Sequence, residues 1–194
     1  MLIIRAADCR KMPWKNGGGE TTEIAVSPTA AGIEDFDWRL SMALVAAGGP
    51  FSTFAGVDRT LAVLDGDGLE LTIEGMAPVT LTTASQPLAF PGDAPTSAAL
   101  VGGEVTDLNI MTRRARVSHR MRRLAVSGNT ELVAEAGELL IFCPAGTVRI
   151  DIDGEVAILS ASDTLHLENA PAKLHIEAGT AATVFLIGLK HISE

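Results

Sequence analysis

Short runs of Val, Ile, Leu and Thr, closed about every ten residues by Gly, Pro, Asp or Asn, extend through this chain. Such punctuation is what strands and tight turns require, and it leaves no room for long helices. Strands are expected over Thr22–Val26, Trp38–Val45, Thr60–Leu64, Leu69–Ile73, Val79–Thr83, Val105–Met111, Glu138–Phe142, Val148–Ile152 and Ala182–Leu189. Helical periodicity is almost absent; only Gly48–Thr60 has room for a turn of helix. The expected class is all-β.

The pattern also repeats. Ser85-Gln86-Pro87-Leu88-Ala89-Phe90 resembles Ser162-Asp163-Thr164-Leu165-His166-Leu167 at an offset of 77, and the same offset lays Val105–Met111 on Ala182–Gly188. Thr60–Leu64 followed by Gly68 matches Glu138–Phe142 followed by Gly146 at 78, and Gly75 matches Gly154 at 79. Two copies of one β-unit are expected, the alternative being two unrelated β-modules with coincident turn spacing. A unit of such short strands must curl or pack on a second sheet to hide its apolar face and its edges, which points to a jelly-roll barrel of the cupin type. Leu64-Asp65-Gly66-Asp67-Gly68-Leu69-Glu70-Leu71 fits the hairpin of that barrel, and Phe90-Pro91-Gly92-Asp93 its later turn. The division read from the sequence is a first lobe over 1–112, an arginine-rich connection over 113–130 and a mainly structural second lobe over 131–194, with amino-terminal strands free to cross between lobes.

Apolar residues make up 47% of the 194, enough for a sizeable core. Twenty-four acidic against fifteen basic side chains give a formal charge of -9, a field that repels phosphate backbones and anionic membranes, so no nucleic acid or membrane partner is expected. Six arginines gather in Arg113-Arg114-Ala115-Arg116-Val117-Ser118-His119-Arg120-Met121-Arg122-Arg123. They form either a docking patch for an acidic partner or a solvated connection that balances acidic lobes. No apolar segment approaches the roughly 20 residues that span a bilayer, and Met1-Leu2-Ile3-Ile4-Arg5 has no leader pattern, so a cytoplasmic location is expected. Cys9 and Cys143 have no metal-like spacing and read as two thiols.

Many barrels of this type hold a divalent metal with three histidines and a carboxylate. Here His119, His166, His175 and His191 all lie beyond Ser118, so the first lobe has no imidazole to offer. His166 and His175 could meet on neighbouring strands of the second lobe, but no third ligand is evident, and they read as sheet histidines. No metal and no cofactor are expected. The chain has no tyrosine, which disfavours the His–Tyr proton transfers of metal-free sugar epimerases of this fold, and neither a G-x-S-x-G elbow nor a phosphate-binding glycine loop appears.

The densest candidate site is Met12-Pro13-Trp14-Lys15-Asn16-Gly17-Gly18-Gly19-Glu20-Thr21. Three glycines allow positive φ and close approach to the main chain, while Trp14 offers an apolar face, Lys15 a cation and Asn16 a donor and acceptor. The alternative is a lead-in hairpin with Trp14 plugging the core. Strand alternation adds Arg39, Ser41 and Ala43 on one face, opposite Trp38, Leu40 and Met42, and places Asp107 and Asn109 together. At the matched positions the second copy has Val184 and Leu186, so a hydrogen-bonding interior in the first lobe would face an aliphatic one in the second. Asp58-Arg59 is a charged pair at a strand entrance, equally readable as a rim salt bridge. Arg39 is the group expected to grip a carboxylate, because guanidinium can make two parallel charge-assisted hydrogen bonds. The candidate ligand-binding set is Trp14, Lys15, Asn16, Gly17, Gly18, Glu23, Arg39, Ser41, Ser52, Phe54, Asp58, Arg59, Asp107 and Asn109. Glu23, Asp58 and Asp107 are the acid–base candidates should the chain be an enzyme, which the residues alone leave open.

The sequence resembles the HutD/Ves family, two-lobed cupins associated with bacterial histidine-utilisation operons. The resemblance rests on Met12–Gly19, on Phe36-Asp37-Trp38-Arg39-Leu40-Ser41, and on Gly49-Pro50-Phe51-Ser52-Thr53-Phe54 with Asp58-Arg59. It continues through Leu64-Asp65-Gly66, Phe90-Pro91-Gly92-Asp93 and Asp107-Leu108-Asn109-Ile110-Met111-Thr112-Arg113-Arg114. It implies a bicupin fold without a catalytic metal, and binding of a small carboxylate such as urocanate or formylglutamate in the regulation or buffering of histidine breakdown. By fold analogy, two copies are expected to pair through their sheets.

Overall fold

The computed structural model describes residues 1–14, 17–133, 137–171 and 173–192. Its regular structure is β throughout, apart from one short 3-10 turn at Ala6–Asp8. The strands in the first half are β1 (Leu2–Ile4), β2 (Arg10–Pro13), β3 (Gly19–Ser27), β4 (Trp38–Val45), β5 (Gly49–Pro50), β6 (Val57–Asp65), β7 (Leu69–Ile73) and β8 (Val79–Leu81). Those in the second are β9 (Leu88–Pro91), β10 (Thr96–Leu100), β11 (Val105–Arg113), β12 (Val117–Val133), β13 (Glu138–Phe142), β14 (Thr147–Ile152), β15 (Glu155–Ser160), β16 (Thr164–Leu167) and β17 (Lys173–His191).

The chain forms two compact units, one of Arg10–Ser118 with the chain end from Ile192, the other of Met1–Cys9 with His119–His191. In the first unit a sheet ordered β2-β3-β4-β11-β6-β9 faces a sheet ordered β5-β10-β7-β8. Val45, Leu61, Val63, Phe90 and Val105 of the larger sheet meet Leu69, Leu71, Ile73, Leu81 and Ala98 of the smaller in one core. Alternation produces this: Leu61 and Val63 of β6 and Leu69, Leu71 and Ile73 of β7, each two residues apart, turn their aliphatic side chains to the same side. In the second unit one sheet, β1-β16-β13-β17-β14-β15 with β12 against β17, carries an aliphatic core. The long strand β17 pairs with β14 through its first half and β13 through its second, where the first unit uses the separate strands β10 and β11.

Strand pairing allows the two units to be aligned residue by residue. Leu88 faces Leu61 as Leu165 faces Ile141, and Asn109 faces Leu61 as Leu186 faces Ile141. Both comparisons therefore match Leu61 with Ile141 and Arg59 with Leu139. The 77-residue offset holds for β9 with β16 and β11 with β17, but Thr60–Leu64 matches the chain two residues beyond Glu138–Phe142. The step of two keeps the parity, so the same residues face inward.

Other expectations change. Gly48–Thr60 holds no helix; it carries β5, an irregular stretch and the start of β6. The stretch Leu64–Leu71 is not a hairpin, because β6 and β7 lie in different sheets; Asp65–Gly68 turns the corner between them with Gly66 and Gly68 at positive φ. The arginine-rich connection is mostly strand, since β12 starts at Val117, and the second unit begins at His119 within it. His166 does not meet His175, which is exposed on a different part of the sheet. Instead His166 Nε2 lies 2.6 Å from Glu138 Oε1 and His191 Nε2 3.0 Å from Glu138 Oε2. Burial pushes the Glu138 carboxyl up, but the two imidazoles outweigh it and hold the group below its ordinary value.

Candidate functional site

The interior face of the larger sheet in the first unit is a grid of cross-strand rungs. Arg39, Met111 and Arg59 occupy one rung, Glu23, Ser41, Asn109 and Leu61 the next, and Thr21, Ala43, Asp107 and Val63 a third. Directly opposed residues in an antiparallel sheet share a face, so these side chains project into the space whose other end is the aliphatic core. Arg39, Ser41, Arg59, Asp107 and Asn109 are all buried.

The two guanidinium groups on the first rung have different surroundings. Arg39 is neutralised: its Nε donates to Glu23 Oε2 at 2.7 Å and its Nη1 to Ser41 Oγ at 3.5 Å. Arg59 is held by aromatic rings, with its Cζ 4.9 Å from the Phe51 centroid and 5.4 Å from that of Phe90. Guanidinium over a ring face is attracted by the ring quadrupole, and two rings fix the plane of the group. Gly92 makes room for its stem, since a Cβ there would stand 3.2 Å from Arg59 Cγ and Cδ. Arg59 Nε is buried with no hydrogen-bond partner among the described residues, and so is Asn109 Oδ1. Buried polar atoms in folded proteins are nearly always paired, so these two orphans on adjacent rungs make this face the candidate site.

Burial disfavours charge on both ionisable groups here. It pushes the Asp107 carboxyl up to about 7, against the pull of Arg59. It lowers Arg59 to about 10, with Asp107 opposing and Arg39 reinforcing the shift. At neutral pH Arg59 keeps its charge while Asp107 is near its midpoint, so the chamber has positive charge to spare and a proton that can be given or taken.

The remaining expected site residues are dispersed. Trp14 packs against the core of the first unit and donates from Nε1 to Thr21 Oγ1 at 2.8 Å. The glycine run serves the turn behind it. Gly17 N donates to Trp14 O with Gly17 at φ +69, and a Cβ on Gly19 would strike the Leu44 carbonyl oxygen and crowd the Trp14 ring. Gly17 is exposed and Gly18 half-buried, while Lys15 and Asn16 lie outside the described residues. Ser52 is exposed, and Phe54 packs against Phe36, Val57 and Met111. Asp58 and Arg59 do not pair: successive strand residues point to opposite faces, and Asp58 accepts from Arg114 Nε at 2.8 Å. The inward role thus falls to Arg59 alone. Phe51, Phe90 and Gly92 were missed as its setting, although Phe90 faces Arg59 directly across the β6–β9 pair.

Three of the six arginines of the run are committed within the first unit. Arg113 donates to the Phe36 and Glu34 carbonyls, Arg114 to Asp58 and Asp93, and Arg116 to Asp37. Among the described residues no three of His, Cys, Asp and Glu are grouped to hold a metal ion, and no helix is long and apolar enough to cross a membrane.

Known proteins bear on this arrangement. A cupin 2 conserved barrel domain protein from Leptotrichia buccalis superposes with a TM-score of 0.60 over 96% of this chain and 100% of that one at 13% identity, a likeness of fold alone that makes the fold cupin-like. A protein described as an uncharacterized 21.2 kDa protein in the hutC 3' region of Pseudomonas putida is 37% identical over 178 residues, 91% of this chain and 92% of that one. Protein Ves of Citrobacter koseri is 45% identical over 120 residues, 59% of this chain and 61% of its own. The structure of HutD from Pseudomonas fluorescens SBW25, in a formate condition, superposes with a TM-score of 0.83 at 34% identity, covering 99% of each chain. The HutD family model matches residues 6–186, nearly the whole sequence, and the chain belongs to the HutD family.

Proposed function

We propose that this chain is a bicupin whose first jelly-roll barrel binds a small carboxylate metabolite without a metal, and whose second barrel is mainly structural. The observation that carries the reading is Arg59: a buried cation, clamped between two rings, whose Nε has no partner among the described residues. Arg39 is already matched by Glu23, so Arg59 rather than Arg39 takes the carboxylate. The residues that would make the interior of the second unit equivalent are Leu139, Val184 and Leu186, all in its aliphatic core, so those positions offer no group to hold an acid with. The absence of histidine before His119 supports binding by guanidinium and amide rather than by a metal.

The relatives support a biological setting. One lies in the hutC 3' region, and a HutD structure was obtained in a formate condition, formate being the smallest carboxylate. We place this chain in the regulation or buffering of histidine utilisation, with urocanate or formylglutamate as the ligand type. Isothermal titration of the purified chain with urocanate, formylglutamate, formate and histidine tests this. A saturable heat for at least one acid, abolished by Arg59→Leu, is expected; flat heats for all four would overturn the reading.

A second reading has one observation in its favour. Asp107, with its pKa near 7 beside a bound carboxylate, is suited to proton transfer, so the chamber could act on its ligand. Product formed from any of these acids, and lost in Asp107→Asn, would establish an enzyme in place of a binding protein.

A further inference from the structure

The two unpartnered atoms are of opposite kinds. Arg59 Nε is a donor in need of an acceptor, whereas Asn109 Oδ1 is an acceptor in need of a donor. They stand on neighbouring strands one rung apart, Arg59 opposite Met111 and Asn109 opposite Leu61. Diagonal neighbours of this kind are about 7–8 Å apart at their bases, within the span of one small molecule. A bare carboxylate satisfies Arg59 and leaves Asn109 Oδ1 as it was.

Resting on the carboxylate-binding reading above, we infer that the site selects acids that carry an N–H or O–H donor a few bonds from the carboxylate. The anionic oxygens sit on Arg59 while the donor is accepted by Asn109 Oδ1. Conjugated azole acids and N-acyl amino acids have both features, and formate and simple fatty acids have one. The neighbourhood fits this division. The Phe51 and Phe90 rings flank Arg59. Leu61 and Met111, opposite Asn109 and Arg59 across β6 and β11, add no polar atom, and the oxygens of Ser41 and Glu23 on the Asn109 rung accept from Arg39. In the second unit Leu139 and Leu186 stand in place of Arg59 and Asn109, so the donor and the acceptor are lost together. A site built to hydrogen-bond a ligand group discriminates strongly against an analogue without it, because its own buried polar atom is then left unpaired.

The test uses matched pairs on the full chain: urocanate against 3-furylacrylate, in which no ring N–H remains, and N-formylglutamate against its N-methyl derivative. In each pair the donor-bearing acid is expected to bind at least about tenfold tighter. In Asn109→Leu, which carries the residue of the second unit, the gap is expected to close to within about twofold. Equal affinity within both pairs for the native chain would overturn the donor requirement while leaving the pocket intact, and so would a gap that survives in Asn109→Leu. Absence of binding by all four acids would overturn the pocket itself. The comparison within each pair uses the native protein and so does not depend on how a variant folds.

Discussion

Replacing Arg59, Asp107 and Asn109 together by Leu, Val and Leu would give the first unit the interior of the second. The structure sets the expected size of the change. Ionising Asp107 in the folded state is disfavoured by the rise from 3.8 to about 7, a penalty of about 4 kcal/mol once the solution is above that value. Two orphaned polar atoms add to the cost, while the aromatic clamp on Arg59 offsets part of it. Replacing even a well-paired buried ion pair by aliphatic side chains typically gains about 1–4 kcal/mol, so at pH 7.5 the triple variant is expected to be more stable by about 2–4 kcal/mol. Both tryptophans, Trp14 and Trp38, lie in the first unit, so intrinsic fluorescence followed against urea isolates its unfolding even if the units melt separately. The midpoint should rise with an unchanged slope, and binding of every carboxylate should vanish. A triple variant less stable than the native chain would refute the reasoning, because the polar interior would then be part of what holds the barrel together.

Asp107→Asn alone separates the pH dependence. A carboxyl raised by burial binds more protons folded than unfolded, so its presence costs nothing below about pH 4, and native stability falls relative to the variant by about 1.4 kcal/mol per pH unit from there to about pH 7. Parallel stability curves for the two proteins between pH 5 and 7 would show that Asp107 is not perturbed. Gly19→Ala drives a methyl into the Leu44 carbonyl and the Trp14 ring, and a loss of about 2 kcal/mol or more is expected in the same urea assay. Asp163 is the converse of Asp107. Burial pushes it up, but hydrogen bonds from Ala6 N, Ser160 N and Arg5 outweigh that and hold it below its ordinary value, so its contribution is present above pH 4 and lost as pH falls through its folded pKa. Asp163→Ala should cost about 2–4 kcal/mol at pH 7, with hydrogen exchange accelerated first in Leu2–Ile4.

How far the sequence could be read depended on whether a period or a partner decided the question. Alternation put Arg39 with Ser41 and Asp107 with Asn109, and the sheet keeps both pairings because a period of two does not depend on what packs nearby. The same rule applied one strand earlier would have separated Asp58 from Arg59 and aligned Arg59 with Leu61 and Val63, the inward residues of β6; adjacency in sequence was taken for a pair instead. The β12 strand was hidden because its buried residues, Val117, Met121, Val126 and Leu132, follow no fixed spacing among arginines and serines. The partner of His166 was equally hidden. Glu138 reaches it from the neighbouring strand β13 and also meets His191 of β17, and only the register of β13 against β16 and β17 brings the three together.

Aligned through its strand pairs, the interior of the two units differs in a confined way. Leu61, Val63, Leu69, Leu71, Phe90 and Ala98 are answered by Ile141, Cys143, Val148, Ile150, Leu167 and Ile176, apolar for apolar. On β6, β10 and β11 the inward polar residues are Arg59, Thr96, Asp107 and Asn109, answered by Leu139, Leu174, Val184 and Leu186. A barrel that had merely drifted from its copy would show polar substitutions scattered along the strands, each carrying its own burial penalty. Here three of the four lie on the adjacent strands β6 and β11, and the fourth, Thr96, is satisfied locally by the Ala94 carbonyl at 2.9 Å. The second unit folds around hydrocarbon at the matched positions, so a sheet of this kind does not require the polar cluster in order to fold. On the proposed function that cost is offset by the ligand: a molecule that gives Arg59 an acceptor and Asn109 a donor would remove the penalty only while bound, and the stability of the first unit would then itself be a readout of ligand.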